Sequence, residues 1–155
     1  MILQRALLLN RHRSIGQSVV DCGIGAGGFC RITNAAGFDI SPTAREWLEC
    51  NNLWHDLTRE PADIVCFWDS LEHMLVPELM VGAARKMVLL SLPIFENGDA
   101  IPKSKHYKPD EHLWYFTERG LIGWFRLHGF GLVERNRDEE RFGREGIGTY
   151  VFARA

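Results

Sequence analysis

Short hydrophobic runs alternate with amphipathic segments along most of the chain. Runs of apolar and β-branched residues at 18–22 (SVVDC), 36–40 (AGFDI), 62–68 (ADIVCFW) and 87–92 (MVLLSL) are typical of strands that are covered on both faces of a parallel sheet. A weaker run at 52–57 leaves room only for a stub of a strand. Strands of this kind need helices between them, and the intervening sequence supplies the helical signals.

Proline and hydroxyl residues mark where the helices begin. Ser41 and Pro42 predict an N-cap and first helical residue, and this helix is expected to end near Cys50. Pro77 predicts the start of another helix, which is expected to run to about Arg85. The helix after the glycine-rich segment has room for one to two turns at most.

The next part of the chain is polar. Pro93 is expected to stop the strand at 87–92. Residues 96–112 carry two further prolines and predict a long loop, a feature that usually has a function in compact domains.

The last part of the chain changes pattern. Thr117 predicts the N-cap of an amphipathic helix that ends at Gly129. Residues 132–137 and 148–154 predict two strands joined by a charged turn. The sequence therefore predicts an α/β fold with a doubly wound, mostly parallel seven-stranded Rossmann-like sheet and an antiparallel C-terminal hairpin.

Length and charge restrict the class of protein. A chain of 155 residues fits one domain, expected to span residues 1–155. The formal net charge of −2 argues against a broad nucleic-acid interface, which needs many basic side chains on one face. The apolar run 6–9 is too short for a secretory signal or a membrane span, so we expect a cytoplasmic protein without membrane contact. The expected oligomeric state is a monomer or a homodimer.

The cysteines and histidines show no metal-ligand spacing. There is no C-x-x-C pair, and no cysteine is spaced from the six histidines as zinc ligands are. The sequence therefore predicts no metal site, and it predicts that the thiols are reduced and buried. The cysteines are Cys22, Cys30, Cys50 and Cys66.

A glycine-rich segment follows the first strand, where the carboxyl end of a parallel sheet binds ligands. Its sequence from Asp21 is DCGIGAGG, and glycines let the backbone turn sharply and approach a ligand closely. Asp39 ends the second strand, where a carboxylate can accept both ribose hydroxyls of an adenosine. An acid inside the turn would repel a pyrophosphate but suits an ammonium group, which favours adenosylmethionine over a dinucleotide.

The whole pattern resembles the small class I S-adenosylmethionine-dependent methyltransferases whose fourth strand leads into a D-x-L-E-H segment. The resemblance covers about residues 17–153 and rests on VVDCGIGAGGF, GFDISP, ADIVCFWDSLEHM, MVLLSLP and EHLWYFTERGLIGWFRLHGF. It implies S-adenosyl-L-methionine as cofactor and methyl transfer as the reaction.

The resemblance also implies roles for individual residues. The segment with Asp21, Gly23, Gly25 and Gly27 would line the methionine end of the cofactor. The ribose would lie at Asp39 with Ile40 beside it, and the adenine near Asp56 and Leu57. The residues after the fourth strand, beneath the cofactor and facing the transferred methyl, would be Asp69, Ser70 and Leu71.

Candidate catalytic residues lie on the acceptor side. His73 follows Glu72 at the exit of the fourth strand, and His112 and Tyr115 lie in or just after the long polar loop. Any of them can contact the acceptor or take its proton. Packing and capping explain Glu72 and His73 equally well at this point, and a loop with aromatic anchors explains the others.

Missing motifs narrow the acceptor and the reaction. The segment after the fourth strand is Asp-Ser-Leu-Glu rather than Asp/Asn-Pro-Pro-aromatic, and there is no Pro-Cys dipeptide, so DNA base methylation is disfavoured. A small molecule or a protein side chain is the favoured acceptor. Two alternatives stay open: a non-catalytic binding or scaffold module with this fold, and an NAD(P)-dependent oxidoreductase, which the glycine spacing disfavours.

Overall fold

The computed structural model describes the whole chain, from Met1 to Ala155. The helices are α1 (Ile2–His12), α2 (Gly28–Thr33), α3 (Pro42–Cys50), α4 (Pro77–Gly82) and α5 (Glu118–Leu127). The strands are β1 (Val19–Cys22), β2 (Ala36–Phe38), β3 (Ala62–Trp68), β4 (Ala84–Phe95), β5 (Phe116–Thr117), β6 (Phe130–Asn136) and β7 (Ile147–Arg154). Short 3₁₀ helices lie at Leu71–His73, Gly98–Lys103 and Asp138–Phe142.

The strands form one sheet in the order β2-β1-β3-β4-β7-β6, with β5 added beside the end of β4. The pairs among β1, β2, β3 and β4 are parallel, whereas β7 is antiparallel to both β4 and β6. This confirms the predicted fold class, a mostly parallel sheet with an antiparallel C-terminal hairpin.

The seven strands are not quite the seven that the sequence predicts. The stub expected at 52–57 is a single bridge between Gly37 and Trp54, and β5 is the additional strand. The bridge is short because the backbone makes only two ladder hydrogen bonds there, from Gly37 N to Leu53 O and from His55 N to Gly37 O.

Pro93 does not end its strand, and this prediction was wrong. Strand β4 continues through Pro93 to Phe95 and pairs with β7 there. Ser91 O faces β3, since it accepts the Asp69 N–H, and Ile94 N faces β7, since it donates to Gly146 O. Because successive residues face opposite neighbours, Pro93 faces the β3 side, where β3 has already ended, and its missing N–H costs no ladder bond.

Helix α4 is also shorter than predicted. It ends at Gly82 rather than near Arg85, because Ala84 already pairs with Ala62 in the sheet. Helix α2 has six residues, as expected for the short interval after the glycine-rich segment.

Alternate residues of the central strands pack on opposite faces of the sheet. Val20 and Val65 join the core that includes Leu121 and Phe125 of α5. Their neighbours in sequence pack with α1 and α2 in a second core cluster. Those neighbours include Val19, Ile64 and Cys66, against Leu8, Leu9 and Phe29. Helices therefore cover both faces, and the carboxyl ends of β1, β2 and β3 meet at one edge.

None of the helices combines the length and the hydrophobicity that crossing a membrane requires.

Candidate functional site

The turn after β1 is held against the turn after β3. Gly23 has φ +84°, and a Cβ there would lie 2.6 Å from the Ser70 Cβ. The Ser70 hydroxyl donates a 2.6 Å hydrogen bond to the Cys22 carbonyl. A side chain at position 23 would therefore separate the two turns, which explains the glycine by packing as well as by backbone conformation.

The next two glycines have different reasons. Gly27 has φ +70°, and a Cβ there would lie 2.7 Å from the Trp47 ring. Gly25 has φ +52°, and no atom lies within 4 Å of its Cβ position. The N–H groups of Gly25 and Ala26 make no hydrogen bond within the protein. The middle of the turn is thus an open stretch of backbone donors that a carboxylate or other polar group can approach.

Asp39 lies directly across from this turn. Its carboxylate accepts the Ile24 N–H through Oδ2 and the Ser41 N–H through Oδ1, both at 2.9 Å. Each oxygen of an ionised carboxylate has a second lone pair, so Asp39 is fixed in orientation and can still accept two hydroxyl groups. This is the requirement for holding a ribose.

These groups face one cavity of about 570 Å³. Its size fits the usual range for small-molecule and cofactor sites. Besides Gly23, Gly25 and Asp39, its lining includes several apolar side chains and one imidazole, that of His73. The other lining residues are Cys22, Phe38, Ile40, Thr58, Asp69, Ser70, His73, Met74, Leu75, Val76 and Met80.

Several residues proposed from the resemblance lie outside this cavity. Asp21 is buried within β1, and burial raises the pKa of its carboxyl to about 8. Leu57 and Leu71 are buried in the larger core cluster. Asp56 accepts hydrogen bonds from the side chain and backbone of Thr58, which lower its pKa. It is Thr58, rather than Asp56 or Leu57, that lines the cavity.

Asp69 borders the cavity, and its carboxylate forms ion pairs with two arginines. Arg5 Nη2 contacts Oδ2 at 2.7 Å, and Arg144 Nη2 contacts Oδ1 at 2.7 Å. The same guanidinium groups bind Glu139, which is 3% exposed. Burial by itself raises the pKa of Asp69, but hydrogen bonds and charge from Arg144 and Arg5 outweigh it and hold this pKa below its usual range. Asp69 therefore stays ionised.

The three residues proposed from the sequence as catalytic lie together. The His73 and His112 rings are 4.6 Å apart, and His112 lies 6.0 Å from the Tyr115 ring. The N–H groups of Leu113 and Trp114 donate to the Glu72 carbonyl, so the polar loop is fixed onto the 3₁₀ helix after β3. His73 reaches the cavity, whereas His112 is buried behind it.

Glu72 lies beside these three residues, and several buried polar atoms of the group have no hydrogen-bond partner. Glu72 Oε2, His112 Nδ1 and the Tyr115 hydroxyl are buried and make no hydrogen bond. Burial raises the pKa of Glu72 to about 7 and lowers that of His112. The sequence predicts no metal site from ligand spacing, yet one donor atom each from Glu72, His73 and His112 lies within 4.8 Å of the other two.

Sequence reasoning missed some residues of this region. Arg5 and Arg144 come from opposite ends of the chain, and nothing in their local sequence indicates that they bind Asp69. The apolar residues of the cavity wall follow the turn after β3, and their hydrophobic run, MLV at 74–76 in a polar segment, is a signal that could have identified them.

Comparison with known proteins places this geometry in a family. A family model described as a methyltransferase domain matches residues 2–135. No curated protein sequence matches the chain significantly.

Solved structures share the fold at low identity. The magnesium protoporphyrin IX methyltransferase ChlM of Synechocystis PCC 6803, with bound S-adenosylhomocysteine (SAH), has a TM-score of 0.71 and 16% identity over 99% of this chain and 82% of that one. The CcbJ methyltransferase of Streptomyces caelestis has a TM-score of 0.72 and 13% identity, covering 98% and 94%. The [4+2]-cyclase SpnF has a TM-score of 0.69 and 12% identity, covering 97% and 80%. Since the last of these carries out another reaction, the fold by itself does not fix the chemistry.

Proposed function

This chain belongs to the methyltransferase-domain family and is a class I S-adenosylmethionine-dependent methyltransferase, and from this premise we propose that it methylates a small molecule bound at the histidine end of the cavity. We further propose that residues 1–155 act as one domain that holds both cofactor and acceptor. The observation that carries the proposal is a single cavity whose lining combines the adenosine-binding features at Gly25 and Asp39 with the imidazole of His73.

We assign the cofactor to the glycine end. The Asp39 carboxylate accepts the ribose hydroxyls with the lone pairs left free by its two backbone bonds. The unpaired N–H groups of Gly25 and Ala26 suit the carboxylate of the methionine moiety. The apolar wall at Phe38 and Met80 offers the surface that an adenine ring needs.

The acceptor then approaches from the side of His73, His112 and Tyr115. Methyl transfer is an in-line displacement, so holding the nucleophile in line with the sulfonium supplies much of the catalysis. An acceptor with a labile proton also needs a group that favours its loss, and an uncharged imidazole can serve. The lowered pKa of His112 keeps that ring uncharged at neutral pH. The modest cavity volume favours a small molecule over a protein side chain on a large partner.

The test is calorimetric titration of SAH into wild-type protein and the Asp39→Ala variant. Loss of the ribose contacts is expected to weaken binding about 10- to 100-fold, because hydrogen bonds to a charged group contribute about 1.5–3 kcal/mol. The matched control is Asp99→Ala, which removes an exposed carboxylate that does not line the cavity and is expected to bind SAH as wild type does. Equal affinity in the Asp39→Ala and wild-type proteins would overturn the ribose assignment.

A further inference from the structure

The Glu72, His73 and His112 side chains, which we call the Glu-His cluster, have a geometry that the proposed roles leave unexplained. Their donor atoms lie within 4.8 Å of one another, the range in which three groups can share one ion. Glu72 is 2% exposed and His112 is 7% exposed, yet Glu72 Oε2 and His112 Nδ1 have no hydrogen-bond partner. Buried polar atoms without partners are costly in a folded protein and call for a ligand.

We infer that the Glu-His cluster binds one divalent transition-metal cation at the acceptor end of the cavity. Two imidazoles and one carboxylate are a donor set suited to Zn²⁺, Co²⁺ or Fe²⁺ and poor for Mg²⁺, which prefers oxygen ligands throughout. Three protein ligands leave coordination positions for a further molecule.

The surroundings of His73 support this role. Its Nδ1 lies 2.8 Å from the Glu111 carbonyl, and since a carbonyl oxygen can only accept, Nδ1 must carry the proton. The Nε2 lone pair is then available to a cation. A hydrogen bond from the second ring nitrogen to a carbonyl is the usual support for a metal-bound histidine.

The electrostatics of the cluster point the same way. No arginine or lysine pairs with Glu72, whereas Asp69, three residues earlier, is bound by two guanidinium groups. A bound cation would supply the positive charge that no neighbouring side chain supplies to the Glu72 carboxylate.

A role for this ion in catalysis rests on the proposed function, with the cation replacing the uncharged imidazole as the group that favours loss of the acceptor's proton. A hydroxyl oxygen of the acceptor would occupy an open coordination position of the cation. Coordination would lower the pKa of this hydroxyl group, so that its proton leaves to solvent. The oxygen lone pair would then form the O–CH₃ bond, while the electron pair of the S–CH₃ bond stays on sulfur to give neutral SAH. We therefore infer an alcohol or phenol as the acceptor class.

The test is titration of ZnCl₂ into chelator-treated protein, followed by calorimetry. Wild-type protein is expected to bind one Zn²⁺ with a Kd in the micromolar range or tighter, and MgCl₂ is expected to give no binding. Glu72→Gln and His112→Ala are each expected to weaken Zn²⁺ binding at least 30-fold. The controls are His55→Ala and Cys50→Ser, which remove an imidazole and an exposed thiol outside the cluster and are expected to leave stoichiometry and affinity unchanged.

Titration of SAH into the same chelated proteins separates this inference from the proposed function and reports whether each variant is folded. Wild-type protein that binds SAH but not Zn²⁺ overturns the metal site alone. Glu72→Gln protein that binds SAH normally and Zn²⁺ as tightly as wild type also overturns it. Wild-type protein that binds Zn²⁺ at the cluster but not SAH supports the metal site and contradicts the proposed function.

Discussion

Two sets of buried or partly buried acids near the cavity have opposite surroundings. Asp69 and Glu139 lie between Arg5 and Arg144, and each carboxylate contacts both guanidinium groups. Asp21 and Glu72 have no arginine or lysine partner, and one carboxylate oxygen of each makes no hydrogen bond at all. Burial raises the pKa of both, to about 8 for Asp21 and about 7 for Glu72.

The difference separates a structural role from a binding role. The paired acids connect α1, the end of β3 and the 3₁₀ helix at Asp138–Phe142, so their charges hold the ends of the chain against the sheet. The unpaired acids destabilise the protein when ionised, and for Glu72, which lies in the Glu-His cluster, this is consistent with a group that is kept for what it binds. One substitution in each set tests this contrast and a surface substitution gives the baseline, from the largest expected effect to the smallest.

Removing one guanidinium from the paired set should cost the most. Arg5→Met keeps the length of the side chain but leaves Asp69 and Glu139 with one partner instead of two. We expect the free energy of unfolding to fall by about 3–5 kcal/mol, the usual cost of breaking a buried ion pair. Urea denaturation at pH 7 measures it.

The matched control for this change is Arg11→Met on the same helix. Arg11 pairs with Glu134 but is 56% exposed, so we expect a loss below about 1 kcal/mol. If both variants lost the same small amount, the paired set would have no special structural role.

Neutralising an unpaired acid should stabilise the protein at neutral pH rather than destabilise it. Burial raises the folded-state pKa of Asp21 from its ordinary value of 3.8 to about 8, so between these two values the native state holds a proton that the unfolded state releases. The contribution of Asp21 to stability is then most favourable below about pH 4 and declines as the pH rises toward 8. Asp21→Asn should flatten this decline and gain on the order of 2 kcal/mol at pH 7. Chemical denaturation between pH 4 and 8 tests it.

The control is Asp63→Asn, at an acid whose pKa is lowered rather than raised in the folded state. Hydrogen bonds from Ser18 and the Lys86 ammonium lower the pKa of Asp63, so its contribution to stability is present at neutral pH and is lost on acidification. The Asn variant should therefore be less stable than wild type at pH 7. A decline with rising pH that persisted unchanged in Asp21→Asn would show that Asp21 is not its source.

Two exposed lysines of the polar loop 96–112 should matter least. Lys105 and Lys108 pair with Glu145 and Glu111 on the surface, at 3.2 and 3.0 Å. Lys105→Ala should change the free energy of unfolding by no more than about 0.5 kcal/mol and leave SAH affinity unchanged. A tenfold change in SAH affinity would show that the exposed lysines of this loop belong to the cofactor site.

The sequence indicates the positions of Gly25 and Asp39 more directly than it indicates the contact between His73 and His112. The turn after β1 and the acid after β2 are local signals, because each follows a buried strand and parallel strands bring their carboxyl ends together. The Glu-His cluster joins residues from the 3₁₀ helix after β3 and from a polar loop, and no ligand spacing records that contact. The pairing of Arg5 with Asp69 is hidden for the same reason.

Local sequence patterns also gave wrong predictions where contacts with distant residues determine the structure. Pro93 normally ends a strand, but here its missing donor faces a side on which β3 has stopped. Leu57 follows an acid in the expected position, yet its side chain packs into the core and Thr58 faces the cavity instead.

The most direct test of the account is a crystal structure of the protein with bound SAH. We expect the ribose hydroxyls within hydrogen-bond distance of Asp39, the amino-acid moiety against the turn at Gly25, and the sulfur directed toward His73. Density for SAH at another surface, with the space between Gly25 and Asp39 closed by side chains, would contradict the central claim.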